Sequence, residues 1–283
     1  MRTYHECVPC FLSQAAEAVT FVTDDRAIHE KVLRGVRRMV DKMDLSRPPI
    51  AMGRHVHRLI RDLAGDDDPY RGVKERFNKA ALALYPELKE RVKRSPDPLD
   101  AAVRIAIAGN IIDFGMNRNL QESDVHDAIE HAREAPLDNG ALSDFRQALA
   151  DASSILYLGD NAGEIVFDRL LVEEMPLEKV TFAVRGSPVI NDATMDDARA
   201  AGLTDIVEVI DNGSDAPGTL LESCSKEFRL RFDAADLILS KGQGNYETVS
   251  HIPKKIFFLL KAKCPVIARD LGCPVGTMLL RRK

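Results

Sequence analysis

The chain has no tryptophan and few aromatics of any kind, 6% of its 283 residues. That scarcity argues against an aromatic platform for stacking bases and against the aromatic belt of a membrane-interface protein. No uninterrupted apolar run approaches the roughly 20 residues needed to cross a bilayer, and Met1-Arg2-Thr3-Tyr4-His5-Glu6 lacks the apolar stretch of a secretory signal. No membrane partner and a cytoplasmic location are therefore expected. An excess of basic charge is also missing: 39 Lys and Arg meet 44 Asp and Glu, for a net charge of -5. A nucleic-acid partner is not expected from such a balance. With 17 Gly and 14 Pro the composition is neither collagenous nor disordered. Cysteines number five, an odd count spread over a long chain, which speaks against a disulfide framework. Cys7-Val8-Pro9-Cys10 is the one pair left to explain. It does not lie between the strand and helix of a βαβ unit, so a thioredoxin-like redox motif is not expected. A single Cys-x-x-Cys is also weak evidence for zinc, and metal binding, a disulfide and simple packing stay open.

What is present is an ordinary globular composition, 45% hydrophobic and 29% charged, at a length that suits two domains or one large α/β domain. Up to Ala152 the apolar residues keep a helical period: Ala15, Ala18, Val19 and Val22 share one face, and Ile28, Val32, Val36, Met39 and Val40 another. Asp24 is placed to cap the second helix, Asp97-Pro98 to open a later one, and Ser123 to cap Asp124 to Glu134. Six or seven helices fit this stretch. Ala101 to Phe114 is apolar on nearly every side and reads as the buried central helix. Asp66-Asp67-Asp68 reads as a solvated loop, and His55 and His57 as surface residues.

After Ser153 the pattern changes to short strand-like runs alternating with helices. The runs are Ile155 to Leu158, Val180 to Val184, Ile206 to Ile210, Leu237 to Leu239, Ile256 to Leu259 and Val266 to Ala268. Alternation of this kind predicts a parallel or mixed sheet covered by helices on both faces, a three-layer α/β/α arrangement. The expected organisation is an all-helical domain over 1–152 and an α/β domain over 153–283.

The chemistry-bearing segments all follow strands. Leu158-Gly159-Asp160-Asn161-Ala162-Gly163-Glu164 joins an apolar strand to an amphipathic helix, the place where open α/β sheets bind ligands. Asp160 and Asn161 offer hard oxygen ligands suited to Mg²⁺ or Mn²⁺. Gly163 lets the backbone at a helix start approach an anion closely, with Glu164 beside it. An Asx turn capping the helix explains the same Asp-Asn about as well. After the next strand, Arg185 can reach a phosphate and Asp192 can bring a second carboxylate to the metal, whereas Asn191 reads better as a turn residue. Ser240-Lys241-Gly242-Gln243-Gly244-Asn245 sets a lysine beside two glycines, a backbone cradle with a point charge for an anionic substrate. Asp211-Asn212-Gly213 reads first as a turn. In the apolar helix, Asn110 and Asp113 share a face and can point together into a cleft or into helix-to-helix hydrogen bonds.

Taken together, the Gly159 to Glu164 motif, Asn191-Asp192-Ala193-Thr194, Lys241-Gly242-Gln243-Gly244-Asn245, the early Cys7-x-x-Cys10 and the late Lys263-Cys264 resemble the damage-control phosphatase family. This is domain of unknown function 89, ARMT1-like, and the likeness is to its Cys-x-x-Cys-containing subfamily I. The resemblance spans nearly the whole chain. It implies a helical N-terminal part, an α/β catalytic part, and metal-dependent hydrolysis of small phosphate monoesters such as sugar phosphates or damaged nucleotide and cofactor intermediates. It further implies that Asp160, Asn161 and Asp192 are metal ligands and catalytic residues, and that Lys241, Gly242 and Asn245 bind substrate. An Arg-Thr-x-Lys motif known in another branch is absent here, and Lys263 takes its place in this reading. The implied cofactor is Mn²⁺ or Mg²⁺, with Ni²⁺ and Co²⁺ as alternatives, and the implied partner is a small phosphorylated metabolite. Self-association as a homo-oligomer is left open.

Two other functions fit parts of the sequence. A strand followed by Gly159-Asp160-Asn161-Ala162-Gly163 resembles a degraded nucleotide loop of an S-adenosylmethionine-dependent methyltransferase, against which stand Asn161 at the middle glycine and Arg185 where an acidic residue is usual. A helical interaction module on a sugar-phosphate-binding domain would bind without turnover.

Overall fold

The computed structural model describes residues 1–111 and 122–282. Among them, seven α-helices precede the first strand: α1 (Val8–Val22), α2 (Arg26–Val40), α3 (Pro49–Ala64), α4 (Arg71–Arg94), α5 (Pro98–Ile111), α6 (Glu122–Glu134) and α7 (Asn139–Asp151). Their ends follow local chemistry. Asp25, one residue after the expected Asp24, caps α2, its Oδ1 accepting the Ala27 N–H at 2.8 Å. Pro49 opens α3, and Gly65 ends it in the left-handed conformation that glycine adopts without strain. Helix α6 begins at Glu122, one residue before Ser123.

Six strands follow: β1 (Ile155–Leu158), β2 (Val180–Val184), β3 (Glu208–Asp211), β4 (Leu237–Lys241), β5 (Ile256–Lys261) and β6 (Met278–Arg282). Between them lie α8 (Glu164–Val172), α9 (Met195–Ala200), α10 (Lys226–Ala234), α11 (Gly242–Val249) and α12 (Pro265–Leu271). The strand order is β3-β2-β1-β4-β5-β6, with every pairing parallel except β5 with β6. The expected helical part and helix-covered mixed sheet are therefore both present. Two of the expected runs need correction. Ile206 and Val207 precede β3. Val266 to Ala268 belongs to α12, because Pro265 supplies a helix start and Gly272 a left-handed stop, and three apolar residues cannot distinguish strand from helix. The sixth strand comes instead from Met278–Arg282 at the sheet edge.

Alternate strand residues feed two cores. Ile155, Tyr157, Phe182, Leu239 and Phe257 face a cluster built with α4, α5, α6, α7 and α8. Leu156, Leu158, Ile238 and Phe258 face a second cluster with α10, α11 and α12. Helices α1, α2 and α3 have a separate core around Ala15, Val32, Val36 and Ile60. The change from helix to strand at Ser153 thus does not divide the core: Phe145 of α7 packs its ring 5.2 Å from that of Phe257 in β5. Among the described residues no helix is long and apolar enough to cross a membrane.

The strand order reverses between β1 and β4. Helix α8, which follows β1, packs on one face, and α11, which follows β4, on the other. Their loops part at the carboxyl ends of the two strands, and a crevice opens there.

Candidate functional site

The turn after β1 is held open by close packing. A side chain at Gly159 would meet the Phe182 ring at 2.7 Å. Two backbone bonds then stitch this turn to the loop after β2: Ala162 N–H to Asn191 O at 2.8 Å and Ala193 N–H to Asp160 O at 2.8 Å. Asn161 and Asp192 become neighbours across an isolated antiparallel bridge. Asp160, Asn161 and Asp192, 32 residues apart at most, are so brought to one spot. Ile190, just before, has φ 46, a conformation a β-branched residue adopts at a cost of order 1–3 kcal/mol and one that clusters at functional sites.

Charge is concentrated under this spot. Arg185, 2% exposed, donates to Asp192 at 2.6 Å and to Asp160 at 3.4 Å. Asn161 Nδ2 donates to Asp160 at 3.0 Å and to Glu164 at 2.9 Å. Glu164 in turn accepts from the Lys241 ammonium at 2.7 Å. Lys241 also donates to Asp168 and, at 2.8 Å, to Ala106 O of α5. Four buried carboxyls therefore face two buried cations. Burial, Glu164 and Asp192 push the Asp160 carboxyl well above the ordinary range. Burial raises Asp192 too, against the opposing pull of Arg185. Asp168 is pushed up to about 7 by burial despite Lys241. Burial works against the Lys241 charge, but Asp168 and Glu164 outweigh it and raise its proton affinity.

Above the carboxyls opens a cleft of 450 Å³ between the helical part and the carboxyl ends of the strands. Asp160, Asn161 and Asp192 line it together with Ile190, Gly218 and Lys263 from the α/β part. Gln243, Gly244 and Glu247 of α11 form another side, and Cys7, Cys10, Phe11 and His57 come from the helices. Burial pushes Glu247 up to about 7.

Several expected site residues lie elsewhere. Lys241 is completely buried and not part of the cleft wall, its ammonium held by three acceptors. Glu164 stands behind Asn161 rather than in the cleft. The Gly163 N–H is spent on Asn78 Oδ1 at 2.7 Å, and the residue's φ of 78 with Phe77 3.0 Å from any Cβ accounts for the glycine. Asn245 donates to Gly159 O at 3.1 Å and Lys241 O at 2.8 Å and accepts from Thr219 at 2.8 Å. It staples the β1 and β4 turns together. Gly242 opens α11 at φ 75. The side chain of Asn110, and Asp113 altogether, lie outside the described residues. Asn212 accepts the N–H groups of Gly186 and Ser214, the expected turn. His57 is a correction: it is 4% exposed, packed against Tyr70 and lining the cleft. Asp68 is another, being buried against Lys74 at 3.1 Å. Sequence reasoning missed Asn78, Gly218 and Glu247. Glu164 and Asp168 carried a usable signal in their i,i+4 spacing on one helix face.

The chain matches the family model described as "Damage-control phosphatase ARMT1-like domain" over residues 3–279. It is 36% identical to a damage-control phosphatase of Archaeoglobus fulgidus, with 97% of this chain and 97% of that protein aligned. It is 32% identical to a damage-control phosphatase of Pyrococcus horikoshii, over 100% of this chain and 98% of that one. An uncharacterized protein of Methanocaldococcus jannaschii is 36% identical over 98% of this chain and 94% of its own length. Among solved structures, a DUF89 family protein from Pyrococcus horikoshii superposes with a TM-score of 0.88 at 32% identity, covering 100% of this chain and 99% of that one.

Lys241→Met would leave Glu164 and Asp168 buried without their cation, and is expected to cost about 3–5 kcal/mol in urea unfolding. A loss below 1 kcal/mol, the range of an exposed ion pair, would contradict the buried pairing. His57 gives a pH signature. Burial lowers its pKa from 6.5 to about 3, so between those values the unfolded chain takes up a proton that the folded one refuses. Its contribution to stability is complete above pH 6.5 and is lost as the pH falls toward 3. Unfolding midpoints of His57→Gln should therefore decline less steeply than wild type across that window, and equal slopes would contradict the burial.

Proposed function

Given that the chain belongs to the damage-control phosphatase ARMT1-like family, we propose that it is a divalent-metal-dependent phosphatase of small phosphorylated metabolites. The observation that carries this reading is the gathering of Asp160, Asn161 and Asp192 at the floor of one cleft, above a surplus of buried carboxyls. The donor set fits the ion: two carboxylates and an amide oxygen are hard ligands, and the four buried carboxyls outnumber the two buried cations by two groups. Mn²⁺ or Mg²⁺ suits such ligands best, with Ni²⁺ and Co²⁺ as alternatives. Bound there, a divalent ion supplies Lewis acidity toward a phosphoryl oxygen and a water of lowered pKa.

The chain's own residues account for the rest. Arg185 holds Asp192 and Asp160 in place and offsets part of their charge. Glu164 takes one N–H of the Asn161 amide, fixing how that side chain is turned. Lys263 brings a cation to the cleft wall, where it meets an anionic substrate and already weakens proton binding by Asp160. Gln243 and Gly244 belong to the first turn of α11, whose N–H groups lack intrahelical acceptors and suit an anion. The size of the cleft favours a metabolite over a macromolecule, since it falls within the roughly 300–1,000 Å³ of small-molecule sites. A methyltransferase is disfavoured: Arg185, at the end of β2, is engaged with Asp192, and the Gly163 N–H is engaged with Asn78.

Asp160→Asn and Asp192→Asn should each lower Mn²⁺-stimulated hydrolysis of p-nitrophenyl phosphate beyond the about 10–100-fold that loss of an outer partner costs. Circular dichroism should remain that of the wild type. Undiminished turnover in both purified variants would remove the assignment.

A further inference from the structure

Cys7 and Cys10 line the same cleft as Asp160 and Asp192, and the phosphatase reading gives them no role. Cys7 closes a 3-10 turn, His5–Cys7, and is the N-cap of α1, with helical φ -78 and ψ -19. Turn and helix therefore run on continuously, and Cys10 is the third residue of α1. Positions three apart in such a run have Cα atoms about 5 Å apart, inside the span of roughly 4.4–6.8 Å that a disulfide requires. Side chains at these two positions also meet, as the capping box illustrates. The pair lies outside any βα turn, and its placement at a helix start is what sets the two thiols at this spacing.

The pair is accessible and firmly seated. Cys10 is exposed and Cys7 half-buried, and both are free thiols. The Cys7 N–H donates to Tyr4 O at 2.9 Å, Arg269 of α12 lies over the Tyr4 ring, and Arg269 pairs with Glu6 at 2.9 Å. A third thiol, that of Cys264 at the residue preceding α12, lines the same cleft, near enough to raise the proton affinity of both.

We propose that Cys7 and Cys10 are a reversible dithiol–disulfide couple in the cleft wall, oxidised by hydrogen peroxide. The Cys10 thiolate attacks one peroxide oxygen, the O–O bond breaks, and the departing hydroxide leaves as water after taking a proton, giving a sulfenic acid. Cys7 Sγ then attacks the sulfenyl sulfur, the S–O bond breaks, and a second water leaves. Two electrons pass from the two sulfurs to the peroxide. Partial desolvation in the cleft wall, with Glu247 and Cys264 nearby, holds both thiols above their ordinary pKa, so oxidation accelerates with rising pH as thiolate accumulates. The same property makes each sulfur a poorer leaving group, so reduction is slow once the bond has formed. None of this depends on the phosphatase assignment.

The test uses the full chain treated with hydrogen peroxide, quenched, alkylated with N-ethylmaleimide and mapped by mass spectrometry. The expected product is a peptide carrying Cys7 and Cys10 unalkylated and lighter by two hydrogens, with alkylation restored by dithiothreitol. Cys264→Ala should still form it, whereas Cys7→Ser should leave Cys10 as a sulfenic acid trapped by dimedone. Full alkylation of both thiols after peroxide treatment would overturn the proposal. So would a link from Cys10 to Cys264 in place of Cys7, or further oxidation without a disulfide.

Discussion

Four carboxyls, those of Asp160, Glu164, Asp168 and Asp192, are buried around the carboxyl ends of β1 and β2 with two buried cations to face them. Removing charges from water is expensive, and in low dielectric each must find a partner at short range. That requirement explains much of the surrounding architecture. Lys241 at the end of β4 reaches the α8 carboxyls, and α5 lends the Ala106 carbonyl to its ammonium. Arg185 at the end of β2 serves the other two. Each cation stands at the end of a strand beside β1, so the sheet order itself sets where the charges can be balanced. The carboxyls outnumber the buried cations by two, burial and mutual repulsion raise Asp160 and Asp192, and it is this pair that the proposed divalent ion would meet.

The helical part is tied to this centre by polar contacts as well as by apolar packing. Asn78 of α4 holds the Gly163 N–H with its oxygen and Asp197 with its nitrogen, and Lys74 joins Asp197 to Asp68. On α3, Arg54, Arg58 and Arg61 converge on Asp215, beyond β3, at 2.6 to 2.9 Å. Burial alone would raise the Asp215 carboxyl, but hydrogen bonds from Arg58 and Arg54 hold it well below its usual value. Arg61 also donates to Pro188 O at 2.7 Å, just ahead of the strained Ile190. The cleft is therefore framed by two sets of anchors, one on each helix, and its floor and wall are positioned together.

Much of the fold was legible because it rests on local pattern. The runs Ile155 to Leu158 and Val180 to Val184 are β1 and β2 to the residue, since apolar runs bounded by turns define buried parallel strands. Val266 to Ala268 misled because its context, Pro265 before and Gly272 after, decides more than its own composition. At the site, Asp160, Asn161 and Asp192 were found as residues that follow strands. The position of Lys241 was not, because a Lys-Gly after a strand reads the same whether its ammonium enters a cleft or a buried carboxyl pair. Only the arrival of α8 from 77 positions away decides that. Asn78 and His57 were illegible for the same reason: each is defined by a partner or a packing surface distant in the chain.

The proposed divalent cation would be held by the carboxylates of Asp160 and Asp192 and the amide oxygen of Asn161. Isothermal titration of Mn²⁺ into the metal-stripped protein addresses it directly, with Asp192→Asn run alongside. One site per chain is expected in the wild type, with loss of that site in the variant. Absence of binding to the wild type, or equal binding to both proteins, would contradict it.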